Sequence, residues 1–213
     1  ARDRSGLLAA EAYMILHNPQ WTKARDLVAD GAVGKLRYVR GVFSYNNAAS
    51  PGNIRNRPET AGGGIRDIGV YPFGATRFVV GAEPETVSAD ITWENGVDVV
   101  ASVQAGFGDV TMDALVSMRL HLTQEMVFMG ETGRLTVHAP FNAGTYGEAR
   151  LTLVTGDGEQ VWRFPDARQY VNQVEAFGRA IRGEAAYPVP LEFSRGTQRM
   201  IDMAFAGAGA PTD

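Results

Sequence analysis

The apolar residues of this chain recur with two spacings, helical and alternating, and the switches between them mark its elements. From Pro19 onward Trp21, Ala24, Leu27 and Val28 fall on one helical face, Asn18 stands where a cap is needed, and Gly31 ends the run, which predicts a helix. The preceding AEAYMIL, residues 10–16, reads as a strand, and KLRYVRGVFSYN, residues 35–46, alternates as another. After a polar loop, Ile68, Phe73, Val79 and Val80 predict a helix from Ile65 to Gly81. It is kinked or restarted at Pro72, because proline lacks an amide hydrogen and restrains the residue before it.

Residues 87–120 form a meander with turns at Asn95-Gly96 and Gly108-Asp109. Its second strand puts Val97, Val99, Ala101, Val103, Ala105 and Phe107 on one face, with Asp98, Val100, Ser102 and Gln104 on the other. The third aligns Val110, Met112, Ala114, Val116, Met118 and Leu120. Strand patterns return in residues 125–130, 133–140, 149–155 and 160–164. Two helices close the chain: one with Tyr170, Val174, Phe177 and Ile181 as its apolar stripe, the other from Glu192 to Ala206 with Met200, Ile201 and Ala204 inward. The order predicts an α+β fold, a large, mostly antiparallel open sheet with helices on one face, as one domain over residues 1–213.

Composition narrows the function. With 213 residues, 45% of them hydrophobic, the chain can bury a continuous core. The formal charge is -4 and the basic residues are scattered, so neither nucleic acid nor a membrane surface is an expected partner, and a small molecule fits better. The absence of cysteine removes disulfides, thiolate nucleophiles and cysteine-bound zinc. No apolar run reaches the roughly 18 to 20 residues of a membrane span, and a cytoplasmic protein is expected. The chain enters a hydrophobic segment almost at once, which reads as a fragment of a longer protein.

The stretch GGGIRDIGVYP, residues 62–72, admits three readings: a phosphate cradle, a structural turn, or half of a catalytic site. A dinucleotide fingerprint requires glycine where Asp67 stands, a Walker loop requires Gly-Lys-Ser or Gly-Lys-Thr, and a carboxylate in the first helical turn repels phosphate. In the structural reading the glycines allow a tight entry, Asp67 stabilises the positive end of the helix, and Tyr71 is a core residue. In the catalytic reading Asp67 and Tyr71 stand one turn apart and share a site. Gly-x-Ser-x-Gly is absent, His17, His121 and His138 lack metal-ligand spacing, and no metal is expected.

GGGIRDIGVYP, with LHNPQW and LVADGAVGKLRYVRGVFSY before it and FMGETGRLTVHAPF and YVNQVEAFGRAIRG after it, resembles the C-terminal domain of the Gfo/Idh/MocA oxidoreductases, the glucose-fructose oxidoreductase, inositol dehydrogenase and dihydrodiol dehydrogenase family. The resemblance implies an upstream Rossmann domain holding NAD or NADP. That domain's glycine fingerprint and its Glu-Lys-Pro segment with a catalytic lysine are missing from this chain. It also implies hydride transfer with an aldose or related cyclic alcohol or diol in the full-length protein, an inactive fragment, and a homodimer or homotetramer assembled through the sheet. The family's Asp-x-x-x-His/Tyr motif falls on Asp67 and Tyr71 as the catalytic pair, with tyrosine at the second position. Arg55 and Asn56 are expected at the rim, and His17 either lines the cleft near the nicotinamide or makes only local hydrogen bonds. Tyr71 would act as base or relay, which requires a cation to lower its pKa from about 10. A non-catalytic binding or scaffold domain assembling through its exposed sheet face is the alternative.

Overall fold

An eight-stranded sheet in the order β2-β3-β4-β1-β5-β6-β7-β8 organises the computed structural model, which describes residues 2–208. Strand β1 (Leu36–Asn46) lies in its middle, parallel to β4 (Val110–Ser117) and antiparallel to β5 (Arg119–Gly130). Every other pairing is antiparallel, through the meander β2 (Thr86–Glu94), β3 (Val97–Phe107), β4 on one side and β6 (Gly133–His138), β7 (Arg150–Thr155), β8 (Gly158–Arg163) on the other. The Asn-Gly turn behaves as its sequence predicts: Asn95 at φ 50° and Gly96 at φ 78° take the left-handed pair that matches hairpin twist.

Helices cover one face of this sheet. Following a short α1 (Arg2–Ser5), these are α2 (Pro19–Ala29), α3 (Val70–Val80), α4 (Gln169–Ile181) and α5 (Leu191–Gly207). Asn18 caps α2 by accepting the Gln20 amide at 3.1 Å; Gln20, Trp21 and Ala24 are its buried positions, with Leu27 and Val28 of the predicted face partly buried. Between helices and sheet, Trp21, Phe73, Phe128, Phe141, Met112, Met126, Leu135 and Met200 are fully buried, each stabilising the fold by about 1.5–3 kcal/mol where the side chain is large and aliphatic or aromatic. The opposite face is laced with polar pairs. Tyr38 donates to Asp113 at 2.6 Å and Gln104 to the same carboxylate at 3.0 Å.

Four expectations are corrected. Residues 10–16 form no strand: Tyr13, Met14, Ile15 and Leu16 are buried consecutively, and Met14–His17 closes into a single tight turn among the helices, where no sheet edge lies alongside. The third meander strand stops at Ser117, and the chain turns at Met118 into β5, leaving Leu120 exposed. Three of the four apolar stripe positions of α4 face outward, Tyr170, Val174 and Ile181 at 60%, 72% and 63% exposure, while Phe177 is half-buried against Tyr187. Its inner side is polar because irregular backbone beneath it needs donors: Gln169 gives a hydrogen bond to the Phe141 carbonyl at 2.9 Å and Gln173 one to that of Glu11 at 3.5 Å. Finally, Asp98 is buried rather than on the mixed face. A register shift between Thr92 and Trp93 precedes its pairing with Trp93.

Candidate active site

The helix that carries Asp67 and Tyr71 opens with a wide π-type turn, Ile65–Gly69, and runs on without a break into α3. This is how the chain accommodates Pro72: the turn before it is widened instead of being kinked or restarted. The Tyr13 hydroxyl lies 2.9 Å and 3.0 Å from the carbonyls of Val70 and Tyr71 and shares its one proton between them. Gly74 makes that approach possible, since a Cβ there would stand 2.5 Å from the Tyr13 oxygen. At the other end, the Ile65 amide donates to Asp98 Oδ2 at 2.6 Å. The positive end of the helix is therefore met by Asp98 as well as by Asp67, which lies in the same first turn.

Asp67 is turned instead toward a cavity of about 310 Å³. Its Oδ1 pairs with Arg55 Nε at 2.7 Å and its Oδ2 accepts from the Tyr45 hydroxyl at 2.7 Å. Tyr71 stands beside it in the cavity wall, with its ring packed against Tyr13, Phe43 and Phe141 at centroid separations of 5.9, 5.5 and 5.6 Å. No described residue hydrogen-bonds its hydroxyl, which leaves the phenol available to a ligand. Burial pushes its pKa up to about 12, reinforced by Tyr170 and Asp67 and opposed by Arg55. The phenol is thus protonated at neutral pH: Arg55, paired with Asp67, opposes the rise without overcoming it.

Of the predicted site residues, Asp67, Tyr71 and Arg55 meet at this cavity, while Asn56 and His17 do not line it. Asn56 braces the loop behind, donating to the carbonyls of Asn47 and Ser50 at 3.2 and 3.0 Å and accepting from Arg119 at 3.2 Å. The His17 ring lies against Tyr187, with Nε2 3.1 Å from its hydroxyl, and burial lowers its pKa. That contact is a local hydrogen bond within the chain.

The sequence reading missed Tyr45, Phe43 and Asn142. Phe43 and Tyr45, two apart on β1, share a strand face, so the alternation that predicted the strand also placed them together. Asn142 is held at the cavity by a reciprocal clamp with Gln124, at 2.7 and 3.0 Å, across a contact that no local pattern announces. A larger hollow of about 450 Å³ between α1 and α5 is walled by the exposed Arg2–Glu192 pair and gathers none of the predicted residues.

Comparisons with known proteins give the relatives of the chain and of its fold. The sequence profile of the GFO/IDH/MocA C-terminal domain matches residues 21–136. An uncharacterized oxidoreductase of Rhizobium meliloti is 35% identical over 209 residues, covering 94% of this chain and 62% of that protein. A D-xylose 1-dehydrogenase (NADP(+)) of Haloferax volcanii is 31% identical over 209 residues, covering 96% and 63%. Among solved structures, a 3-ketoreductase from Actinomadura kijaniata in complex with NADP and TDP-benzene superposes with a TM-score of 0.85 at 28% identity, covering 98% of this chain and 64% of that one. The chain spans a little under two thirds of the length of these relatives.

Proposed function

Because the chain belongs to the GFO/IDH/MocA family, we propose that it is the substrate-binding, C-terminal domain of an NAD(P)-dependent oxidoreductase acting on a sugar or related cyclic alcohol. The observation that carries this reading is the unpartnered Tyr71 phenol beside the Arg55–Asp67 pair at one cavity. Relatives that reduce a keto-sugar or oxidise xylose support it.

The described residues do not themselves fit the dinucleotide's phosphates. The space over the glycines at 62–64 is taken by the Asp98 carboxylate and the carbonyls of Arg55 and Arg57. Holding the cofactor falls to an N-terminal Rossmann domain, so this chain alone is inactive in the proposal. When bound, the nicotinamide supplies or accepts the hydride. Tyr71, protonated at neutral pH, donates its proton to a substrate carbonyl oxygen during reduction and takes one back from the hydroxyl during oxidation. Asp67, fixed from two sides by Arg55 and Tyr45, accepts a hydrogen bond from a neighbouring substrate hydroxyl. Phe43 and Ile68 offer an apolar wall and exclude water, with Phe141 packed behind Phe43 and Tyr71. Assembly as a homodimer or homotetramer through the uncovered sheet face belongs to the same proposal.

Replacing Tyr71 by Phe in the full-length enzyme tests this. Turnover is expected to fall by about 10²–10⁴-fold, the usual worth of a positioned acid or base, with cofactor affinity unchanged. Wild-type turnover in that variant would return Tyr71 to a packing role.

A further inference from the structure

The run of glycines at 62–64 is filled from within the fold by a carboxylate that is 1% exposed. Asp98 Oδ2 accepts the Ile65 amide at 2.6 Å, while Oδ1 is buried without a hydrogen-bond partner among the described residues. That oxygen presses on Gly63: a Cβ there would be 1.9 Å from it. Gly63 in turn ties the cavity together, since its amide donates to the Arg55 carbonyl at 2.9 Å and its carbonyl accepts the Asp67 amide at 3.2 Å. Both members of the ion pair that fronts the cavity therefore hang on one residue, held at φ +118° against one carboxylate.

We propose that Asp98 is a positioning residue, whose carboxylate fixes Gly63 and the first amide of the helix and thereby aims Asp67 and Tyr71 at the cavity. The proposal rests on the oxidoreductase reading above. Stability alone does not explain a carboxylate here, because an amide side chain could accept the Ile65 hydrogen bond without the cost of desolvating a charge. What the charge adds is attraction to the positive end of the helix, which holds the opening turn in one place.

Burial raises the Asp98 pKa to about 6, opposed by the hydrogen bond from the Ile65 amide and, less strongly, by Arg66 on the opening turn of the helix. Of the charged groups on the surrounding elements, Arg55 is paired with Asp67, Arg57 with Glu59 and Arg119 with Glu94, while Asp90 lies on the neighbouring strand β2. Protonation of Asp98 is thus expected to loosen the opening turn on the acid side of neutrality.

The test is Asp98→Asn in the full-length enzyme, with three readouts. Its Tm at pH 8 is expected to be no lower than wild type. Its kcat falls on the order of ten- to a hundredfold, the scale of a small misplacement, and the acid limb of the wild-type kcat profile near pH 6 disappears. In ¹³Cζ-tyrosine spectra the Tyr45 and Tyr71 resonances follow that same titration in wild type and not in the variant. Wild-type kcat with unmoved tyrosine resonances would overturn the proposal, and so would a loss of kcat matched by a loss of Tm. The tyrosine spectra need no turnover, so a full-length protein that oxidises and reduces no sugar would sink the functional reading while still reporting on Asp98.

Discussion

Gly63→Ala is the most direct perturbation of the link between fold and site. Two costs add. A residue with a Cβ at φ +118° is strained by about 1–3 kcal/mol, and the new methyl group would stand 1.9 Å from Asp98 Oδ1. To escape, the carboxylate must retreat by at least about 1 Å, which breaks its 2.6 Å bond to the Ile65 amide. Leaving those buried groups unpaired costs a further ~1–3 kcal/mol. The sum is about 4 kcal/mol, and at roughly 2–4 °C per kcal/mol for a domain of this size, Tm should fall by roughly 8–16 °C. Gly52→Ala is the control: nothing lies within 4 Å of a Cβ there, and its Tm should stay level. Differential scanning calorimetry of both variants, together with Asp98→Ala alone and combined with Gly63→Ala, completes the cycle. In the Asp98→Ala background the methyl group should cost only its backbone strain. A Gly63→Ala protein melting within about 2 °C of wild type, or strict additivity of the two changes, would refute the close approach as the cause.

Two further expectations follow from the same contacts. Tyr45→Phe removes the 2.7 Å hydrogen bond to Asp67 Oδ2; unfolding by urea should report a loss of about 1–2 kcal/mol, and full-length activity should fall through a weaker hold on substrate, with KM rising more than kcat drops. His17, kept neutral by burial, has a folded pKa below 6.5, so its contribution to stability is present above pH 6.5 and is lost as pH falls through the folded value. Melting curves between pH 5 and 8 should therefore show a steeper acid decline for wild type than for His17→Gln, and parallel curves would contradict that.

The fold was legible wherever a single element's periodicity met a single environment. Asn18, Pro19 and Gly31 bounded α2, and Asn95-Gly96 located a hairpin, because caps and turns are decided by residues within a few positions of one another. Periodicity misled where it was read as burial. On α4 the apolar stripe of Tyr170, Val174 and Ile181 marks one side of a helix correctly, but which side meets the core was decided by Phe141 and Glu11, whose carbonyls needed the amides of Gln169 and Gln173. Residues 10–16 failed for a related reason: a short apolar run fits a strand or a buried turn equally well, and only the neighbours choose.

The site divides along the same line. Asp67 and Tyr71 could be paired from sequence because four residues of helix bring them to one face, and that spacing survives the widened turn. Arg55 reaches them from a short helical turn, Ile54–Asn56, and only the family resemblance pointed to it. Asp98 lies far along the chain, on a strand whose alternation assigned it to the wrong face, and nothing local connects it to the glycines it fills. The three glycines nevertheless carried the information in negative form. Glycines crowded before a carboxylate-bearing turn imply that something approaches the backbone closely, and once a phosphate is excluded by Asp67, a buried side chain from elsewhere in the fold is what remains. The residue that fills such a space is the one whose substitution should separate stability from catalysis, because its charge is buried at a desolvation cost that stability alone does not require.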